Sequence, residues 1–407
     1  MMVQCRLRKP AAVLGCAIAT FHEHTMSGPR PPGFDTLALH AGAGTQRAHS
    51  ATTVLEERVA ALEGGVAAIA TASGQAALHL AVATLAGAGD HVVASRALPA
   101  AARDLLAHAL ARFGLATSFV DPRDLDAWRA AIRPATRLLV GAALGGDELA
   151  VLDIPAVAAL AHAHHLPLLV DATLATPHLQ RPFDLGADIL LHGAGHLGGH
   201  GSEHGGLLVD GGTFDWQAAH AHGRRFATLC EPHPALDGRV CGDESTVGAF
   251  ALAARLAGLP AFGGAMSPHE AGAILHGLDT LGLRMARHIA NARHVAAFLS
   301  SHPVVARLAW PELDGHPDRE LARRILPRGC GATLAFGLDG IAVAARFVEA
   351  LRVIGQGDGG GGARTTLRRR SPDATGGIGW ILSIGLEDPD DLVDDLRRGL
   401  KLARTGA

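Results

Sequence analysis

Three groups of residues in this 407-residue chain have the types and spacing to do chemistry. Thr71-Ala72-Ser73-Gly74-Gln75-Ala76-Ala77 lies between an apolar, strand-like run and a helical pattern. The backbone N–H groups of Gly74 and Gln75 would then point from a helix start into the space above the strand ends, forming a cradle for an anion. Asp171 follows Pro167-Leu168-Leu169-Val170, whose proline is tolerable because it opens the strand. It places a carboxylate at the sheet edge where open α/β sheets bind ligands. The third group is His192, His196, His200 and His204, four histidines at every fourth position. On a helix they would line one face as metal ligands, but Gly193, Gly195, Gly198, Gly199, Gly201, Gly205 and Gly206 interrupt the run, so no metal site is expected. His162, His164 and His165 close a helical pattern and read as a favourable C-terminal cap.

The elements that must position these residues alternate between β-like runs and amphipathic helices from residue 52 onwards, the pattern of a mostly parallel sheet wrapped by helices. Strand-like runs fall at 66–70, 91–94, 117–120, 138–140, 167–170, 189–192 and 207–209, with helices at 53–63, 75–85, 104–112 and 154–164. The rhythm changes near residue 260. A long helical stretch over 268–299 leads to further strands at 332–336 and 381–384. The expected division is an unstructured extension over 1–33, a large α/β domain over 34–259 and a smaller α+β domain over 260–407. Gly355 to Gly362 followed by Arg368-Arg369-Arg370 reads as a mobile, solvated loop.

Composition removes several classes of function. Thirty-six Lys and Arg against 39 Asp and Glu give a formal charge of −3, which offers nucleic acid and anionic membranes no electrostatic footprint. With 48% hydrophobic and 18% charged residues the chain has the balance of a globular protein, and no apolar run is long enough to cross a membrane. Five cysteines without CxxC spacing suggest the reducing cytoplasm rather than a disulfide framework. Arg6, Arg8 and Lys9 precede a short apolar stretch, but no small-residue cleavage site follows. The first 25 residues are therefore expected to be a non-folding extension, with translation starting at Met26. Lysine occurs only at Lys9 and Lys401, asparagine only at Asn291, and tyrosine nowhere, as a GC-rich coding sequence would cause.

Asp171-Ala172-Thr173-Leu174-Ala175-Thr176-Pro177, then Gly186-Ala187-Asp188 and Gly198-Gly199-His200-Gly201, give the chain a further likeness. It resembles the Cys/Met-metabolism (transsulfuration) family of pyridoxal-phosphate enzymes, especially the O-acetylhomoserine sulfhydrylases, with cystathionine γ-synthases and lyases as cousins. Phe34 to Gly42, Leu55 to Gly65, Ser73-Gly74-Gln75, Ser267-Pro268, Gly277 to Leu281, Leu283-Arg284-Met285 and Leu382 to Asp388 are similar to that family's motifs and stand in its order. The resemblance implies the type I aminotransferase-like fold. It also implies that the Gly74-Gln75 turn holds the cofactor phosphate, that Asp171 keeps the pyridine nitrogen protonated, and that Thr173 belongs to the cofactor site. The family reaction would exchange the acetate of O-acetylhomoserine for sulfide, giving homocysteine.

The likeness breaks where the family carries its cofactor lysine. Gly193 to Gly201 stands there, one residue shorter, with His196 at the lysine position. An imidazole forms no stable Schiff base with an aldehyde, so the covalent link is excluded at this position. The hydroxyl residues flanking the family lysine become Gly193 and Gly195. The stacking tyrosine falls near Pro99, the Asn-Pro pair at Gly146-Asp147, and the arginine that holds the substrate carboxylate at Ile381. A stretch is also missing between Gly42 and Thr52, where Arg47 is the sole candidate for an inter-subunit phosphate clamp.

These departures predict a degenerate member that keeps the scaffold, impaired in conventional catalysis and paired with itself or with an active homologue. Two alternatives remain open. One is an enzyme that binds pyridoxal or pyridoxamine phosphate non-covalently and uses His196 as a general base; the other is a still-active sulfur amino-acid transferase.

Overall fold

The computed structural model describes residues 50–404, apart from 246–247, 339–340, 358 and 371–377. The expected extension over 1–33, Met26, the motif at Phe34 to Gly42 and Arg47 lie outside the described residues.

The larger sheet is built from β1 (Ala67–Thr71), β2 (His91–Ser95), β3 (Ala116–Val120), β4 (Thr136–Ala142), β5 (Leu168–Asp171), β6 (Ile189–Gly193) and β7 (Gly206–Asp210), in the order β1-β7-β6-β5-β4-β2-β3. Neighbours from β6 to β3 are all parallel, while β7 runs antiparallel to both β6 and β1. Six of the seven strands therefore point the same way, as the sequence pattern predicts. The central strands are apolar throughout because helices cover both faces: Val92, Val93, Leu138, Leu139, Val140, Leu168, Leu169 and Val170 are fully buried. Each contributes about 1.5–3 kcal/mol of hydrophobic stabilisation.

Side-chain caps set where the flanking helices begin. Ser50 accepts from the Thr53 N–H at the start of α1 (Ala51–Glu63), and Gly64, at φ +80°, ends it. Ser73 accepts from the Ala76 N–H to open α2 (Gly74–Leu85), and Asp153 does the same for α3 (Ile154–Ala163). A buried carboxylate ties α1 to the sheet: Glu56 accepts from the Ala70 N–H at 2.8 Å and from Arg255 at 2.8 Å. Five residues, Ala194–Gly198, form the short helix α4 directly after β6.

The single long helix expected over 268–299 is two helices, α5 (Pro268–Leu278) and α6 (Leu281–Ser300). The chain turns at Asp279-Thr280, where the Thr280 N–H bonds back to the Gly277 carbonyl. This break lets Arg284 reach the carbonyls of Gly277, His196 and Leu197 at 2.8–2.9 Å, closing the C-terminal ends of α5 and α4 together.

The second sheet contains β8 (Val305–Ala309), β9 (Thr333–Leu338), β10 (Gly355–Gln356), β11 (Thr366–Arg369) and β12 (Ile378–Ser383), in the order β8-β9-β12-β11-β10. The last helix, α7 (Pro389–Arg404), buries Leu392, Leu396 and Leu400, one every fourth residue, as an amphipathic helix must. One sequence expectation needs correcting here. The stretch from Gly355 to Arg370 is loop only in its middle: Gly355-Gln356 and Thr366–Arg369 are paired strands of this sheet. The glycines at 360–362 pack on α4 and its C-terminal continuation, where Gly360 lies over Gly195 and Gly362 over Gly201.

Candidate functional site

Because β1, β5 and β6 point the same way, Thr71, Asp171 and Gly193 all finish at one edge of the sheet, where α2 and α4 begin. Two adjoining cavities open there. The smaller, about 180 Å³, is lined by Gly74 and Gln75 from the start of α2, by Leu98 and Pro99, and by Asp171, Thr173 and Gly193. The larger, about 260 Å³, shares Leu98, Pro99, Asp171 and Thr173 and adds Gly146, Asp147, His196, Gly360, Arg368, Ile381 and Ser383. All five residues singled out from the sequence therefore line one continuous space. Gly74 and Gln75 stand at one end, His196 at the other, and Asp171 and Thr173 between them.

Close backbone packing makes the anion cradle. A Cβ on Gly206 would meet the Ser73 carbonyl oxygen at 2.4 Å and Gly74 Cα at 2.7 Å, so only glycine on β7 lets the turn sit this low. With the Ser73 side chain and carbonyl occupied by Ala76 and Ala77, the first two N–H groups of α2 remain directed outwards. Gln75 is anchored separately, its side-chain amide donating to the Ala101 carbonyl at 3.1 Å.

Asp171 Oδ1 accepts from the Thr173 N–H at 2.9 Å, and Thr173 Oγ1 accepts in turn from the Gly193 N–H at 2.8 Å. This chain of bonds fixes the ends of β5 and β6 relative to one another. Burial pushes the Asp171 carboxyl above its ordinary range, against the opposing pull of the Thr173 hydrogen bonds and of His192. A half-buried carboxylate in that condition gains from a cation or a protonated ring nitrogen placed beside it.

His196 sits in the wall of the larger cavity, 5% exposed, with its Nδ1 unpartnered. Its pKa is pushed down to about 3, first by burial and then by His288, Arg284 and His192. The ring is thus neutral at any ordinary pH. The other three histidines of the series diverge. His192 Nε2 lies 2.7 Å from the buried Glu63 carboxylate, His200 Nδ1 meets Glu203 Oε1 at 2.5 Å, and the backbone N–H of His204 donates to Glu270. Among the described residues no group of three or more His, Cys, Asp and Glu could hold a metal ion. His162 does more than cap α3, since its Nε2 also binds the Asp188 carboxylate at 2.9 Å.

Arg368 belongs to an arginine run that reads from the sequence as solvated loop in preference to an anion site, yet it lines the larger cavity from β11. The signal was a period of two: Leu367 is buried inside the small domain while Thr366 and Arg368 face the cavity. Gly146-Asp147 and Ile381 do reach the cavity wall, and Asp147 Oδ2 lies 3.3 Å from Arg370 Nε.

Comparison with known proteins agrees with this geometry. A sequence model of the family described as Cys/Met metabolism PLP-dependent enzyme matches residues 45–401. The O-acetyl-L-homoserine sulfhydrylase of Leptospira meyeri is 38% identical over 381 residues, covering 88% of this chain and 85% of that protein. The homocysteine synthase of Schizosaccharomyces pombe is 37% identical over 366 residues, covering 86% and 85%. Among solved structures, an O-acetylhomoserine (thiol)-lyase from Campylobacter jejuni that carries a pyridoxyl-lysine monophosphate superposes with a TM-score of 0.81 at 28% identity, covering 86% of this chain and 85% of that one. A cradle of helix N–H groups, a half-buried carboxylate at the strand end and a match over most of the chain lead to one conclusion: the chain belongs to the Cys/Met metabolism family of pyridoxal-phosphate-dependent enzymes.

Proposed function

We propose that this chain is a degenerate member of the O-acetylhomoserine sulfhydrylase group that holds pyridoxal phosphate, or its amine form, without a covalent bond. Conventional turnover of O-acetylhomoserine and sulfide to homocysteine and acetate would then be lost or severely impaired. The observation that carries the reading is the side chain on α4. It is His196, and the two lysines of the chain are Lys9 and Lys401, the latter on α7 and not in the cavity wall.

The residues present suit the cofactor's two polar ends. Gly74 and Gln75, at the positive end of α2, would hold the phosphate, and Asp171 would hold a proton at the ring nitrogen. When bound, the cofactor supplies an electron-withdrawing ring that stabilises negative charge on an attached carbon. Thr173 keeps Asp171 and the start of α4 in place, and Leu98 and Pro99 offer an apolar wall that excludes water. Arg284 holds α4 at its C-terminal end.

The alternative role for His196, a general base, finds less support in the electrostatics. A group that takes up a proton only near pH 3 is mismatched to proton abstraction near neutrality. His196 is better suited to filling the volume of the missing side chain. The same reading places the protein in the reducing cytoplasm, as a partner for a second copy or for an active relative. Its described cysteines, Cys230, Cys241 and Cys330, are all free thiols.

The test is a visible spectrum of the purified protein after incubation with pyridoxal phosphate and desalting, with and without borohydride, followed by intact mass. A retained chromophore that leaves the chain mass unchanged after borohydride is expected. A borohydride-stable adduct would overturn the non-covalent reading, and loss of all chromophore on desalting would leave a scaffold with no cofactor pocket.

A further inference from the structure

Arg368 stands directly opposite Ile381 in the antiparallel pair β11–β12, and Thr366 stands opposite Ser383 two residues away. Directly opposite residues project from the same face of a sheet, and so do alternate residues along one strand. These four side chains therefore form one patch, and all four line the larger cavity, with Thr333 of β9 beside Ser383. We infer that Arg368 binds the α-carboxylate of a small amino-acid ligand in this cavity, supplying from β11 the cation that Ile381 cannot supply from β12.

The charges around the cavity favour this assignment. Asp147 lies against Arg370 at 3.3 Å, and Arg103, on the wall beside Leu98 and Pro99, donates to the Arg96 carbonyl at 2.8 Å. The remaining titratable groups are Asp171, at the end of β5, and the neutral His196. The Arg368 guanidinium has neither a hydrogen-bond nor an ion-pair partner among the described residues. A planar guanidinium with free donors in a cavity wall matches a carboxylate in two-pronged geometry. The Ser383 hydroxyl stands on the same patch, while the Thr366 hydroxyl is taken by the Gly359 carbonyl and so ties the glycine segment over the site. A cavity of about 260 Å³ admits an amino acid of a few carbons rather than a peptide or a nucleotide.

The inference rests on the reading that this pocket still takes the amino-acid class of its relatives, and the experiment separates the two. Calorimetric titration with O-acetyl-L-homoserine and its methyl ester is run on protein pre-equilibrated with pyridoxal phosphate, while absorbance reports cofactor retention independently. Arg368→Ala is expected to weaken binding of the free acid by about tenfold or more, the loss typical of a charged hydrogen bond, while leaving the ester and cofactor retention unaffected. Arg368→Lys should recover part of the affinity. Arg369→Ala, on the opposite face of β11 and paired with Trp380, should change nothing. Equal affinity of wild type and Arg368→Ala for the acid, a loss carried by Arg103→Ala instead, or no binding of the acid by cofactor-loaded wild type would each overturn the inference. Loss of the chromophore with acid binding still dependent on Arg368 would overturn the cofactor reading alone.

Discussion

Gly361 lies flat against the imidazole of His196: a Cβ built on the glycine would come within 2.4 Å of His196 Cγ and 2.5 Å of its Nδ1. Gly361 also has a φ of +83°, where side chains are strained. The loop between β10 and β11 therefore closes over α4 by direct contact of a bare backbone with this ring. Gly361→Ala is expected to destabilise the protein by about 1–3 kcal/mol, the usual cost of overpacking. Part of that cost should disappear in a His196→Ala background, which frees the space of the ring but leaves the contact with His196 Cα at 2.6 Å and the strain of the positive φ in place. Denaturation midpoints of the four proteins of the cycle measure the coupling; fully additive effects would show that the two residues do not meet.

Asp171→Asn should move two readouts in opposite directions. Burial holds this carboxyl above its ordinary range, so its charged form costs stability to the empty protein at neutral pH. The neutral amide removes that cost, and thermal stability without cofactor should stay level or rise. On the proposed placement of Asp171 beside the ring nitrogen, cofactor affinity should fall by about 10–100-fold, because the charged partner would be gone. Titration with pyridoxal phosphate by absorbance, beside thermal melts of the empty protein, checks both signs.

His196→Lys should create a covalent attachment that the proposed non-covalent reading denies to the wild type. The side chain leaves α4 into the wall of the larger cavity, within the space that Asp171 and Thr173 also line. A chromophore that borohydride fixes to the chain, seen as a mass increase, is the expected result. An unmodified variant would mean that the shortened Gly193 to Gly201 segment no longer aims this position at the cofactor.

The acid side of the stability profile should depend on His196. Its folded pKa of about 3 lies below the 6.5 of an exposed histidine, so the unfolded chain takes up a proton that the folded chain refuses. The stability is fully present above the unfolded value and is lost as pH falls from there towards 3. Between about pH 7.5 and about pH 5 this one group removes about 2 kcal/mol, and His196→Gln should reduce the fall by a comparable amount. His91, held at about 4 by burial and by Arg133, contributes in the same direction and persists in the variant. Urea midpoints at the two pH values give the comparison.

The sequence alone was enough for the parallel strands and the helix starts, because each is a local property. Val92-Val93 and Leu168-Leu169-Val170 read as buried strands from their apolar runs, and Ser73 announces the start of α2 by its own capping chemistry. The sequence also shows that no lysine lies between Lys9 and Lys401, which is a property of composition that folding does not alter. Long-range pairing was not legible. Arg368 sits in a glycine- and arginine-rich stretch with the composition of a loop, and its register against Ile381 joins positions 13 residues apart through a second-sheet ladder. The place of Gly361 on His196 spans the two sheets in the same way. Cross-strand register and close backbone approach depend on which segments meet, and that is decided only when the whole core packs.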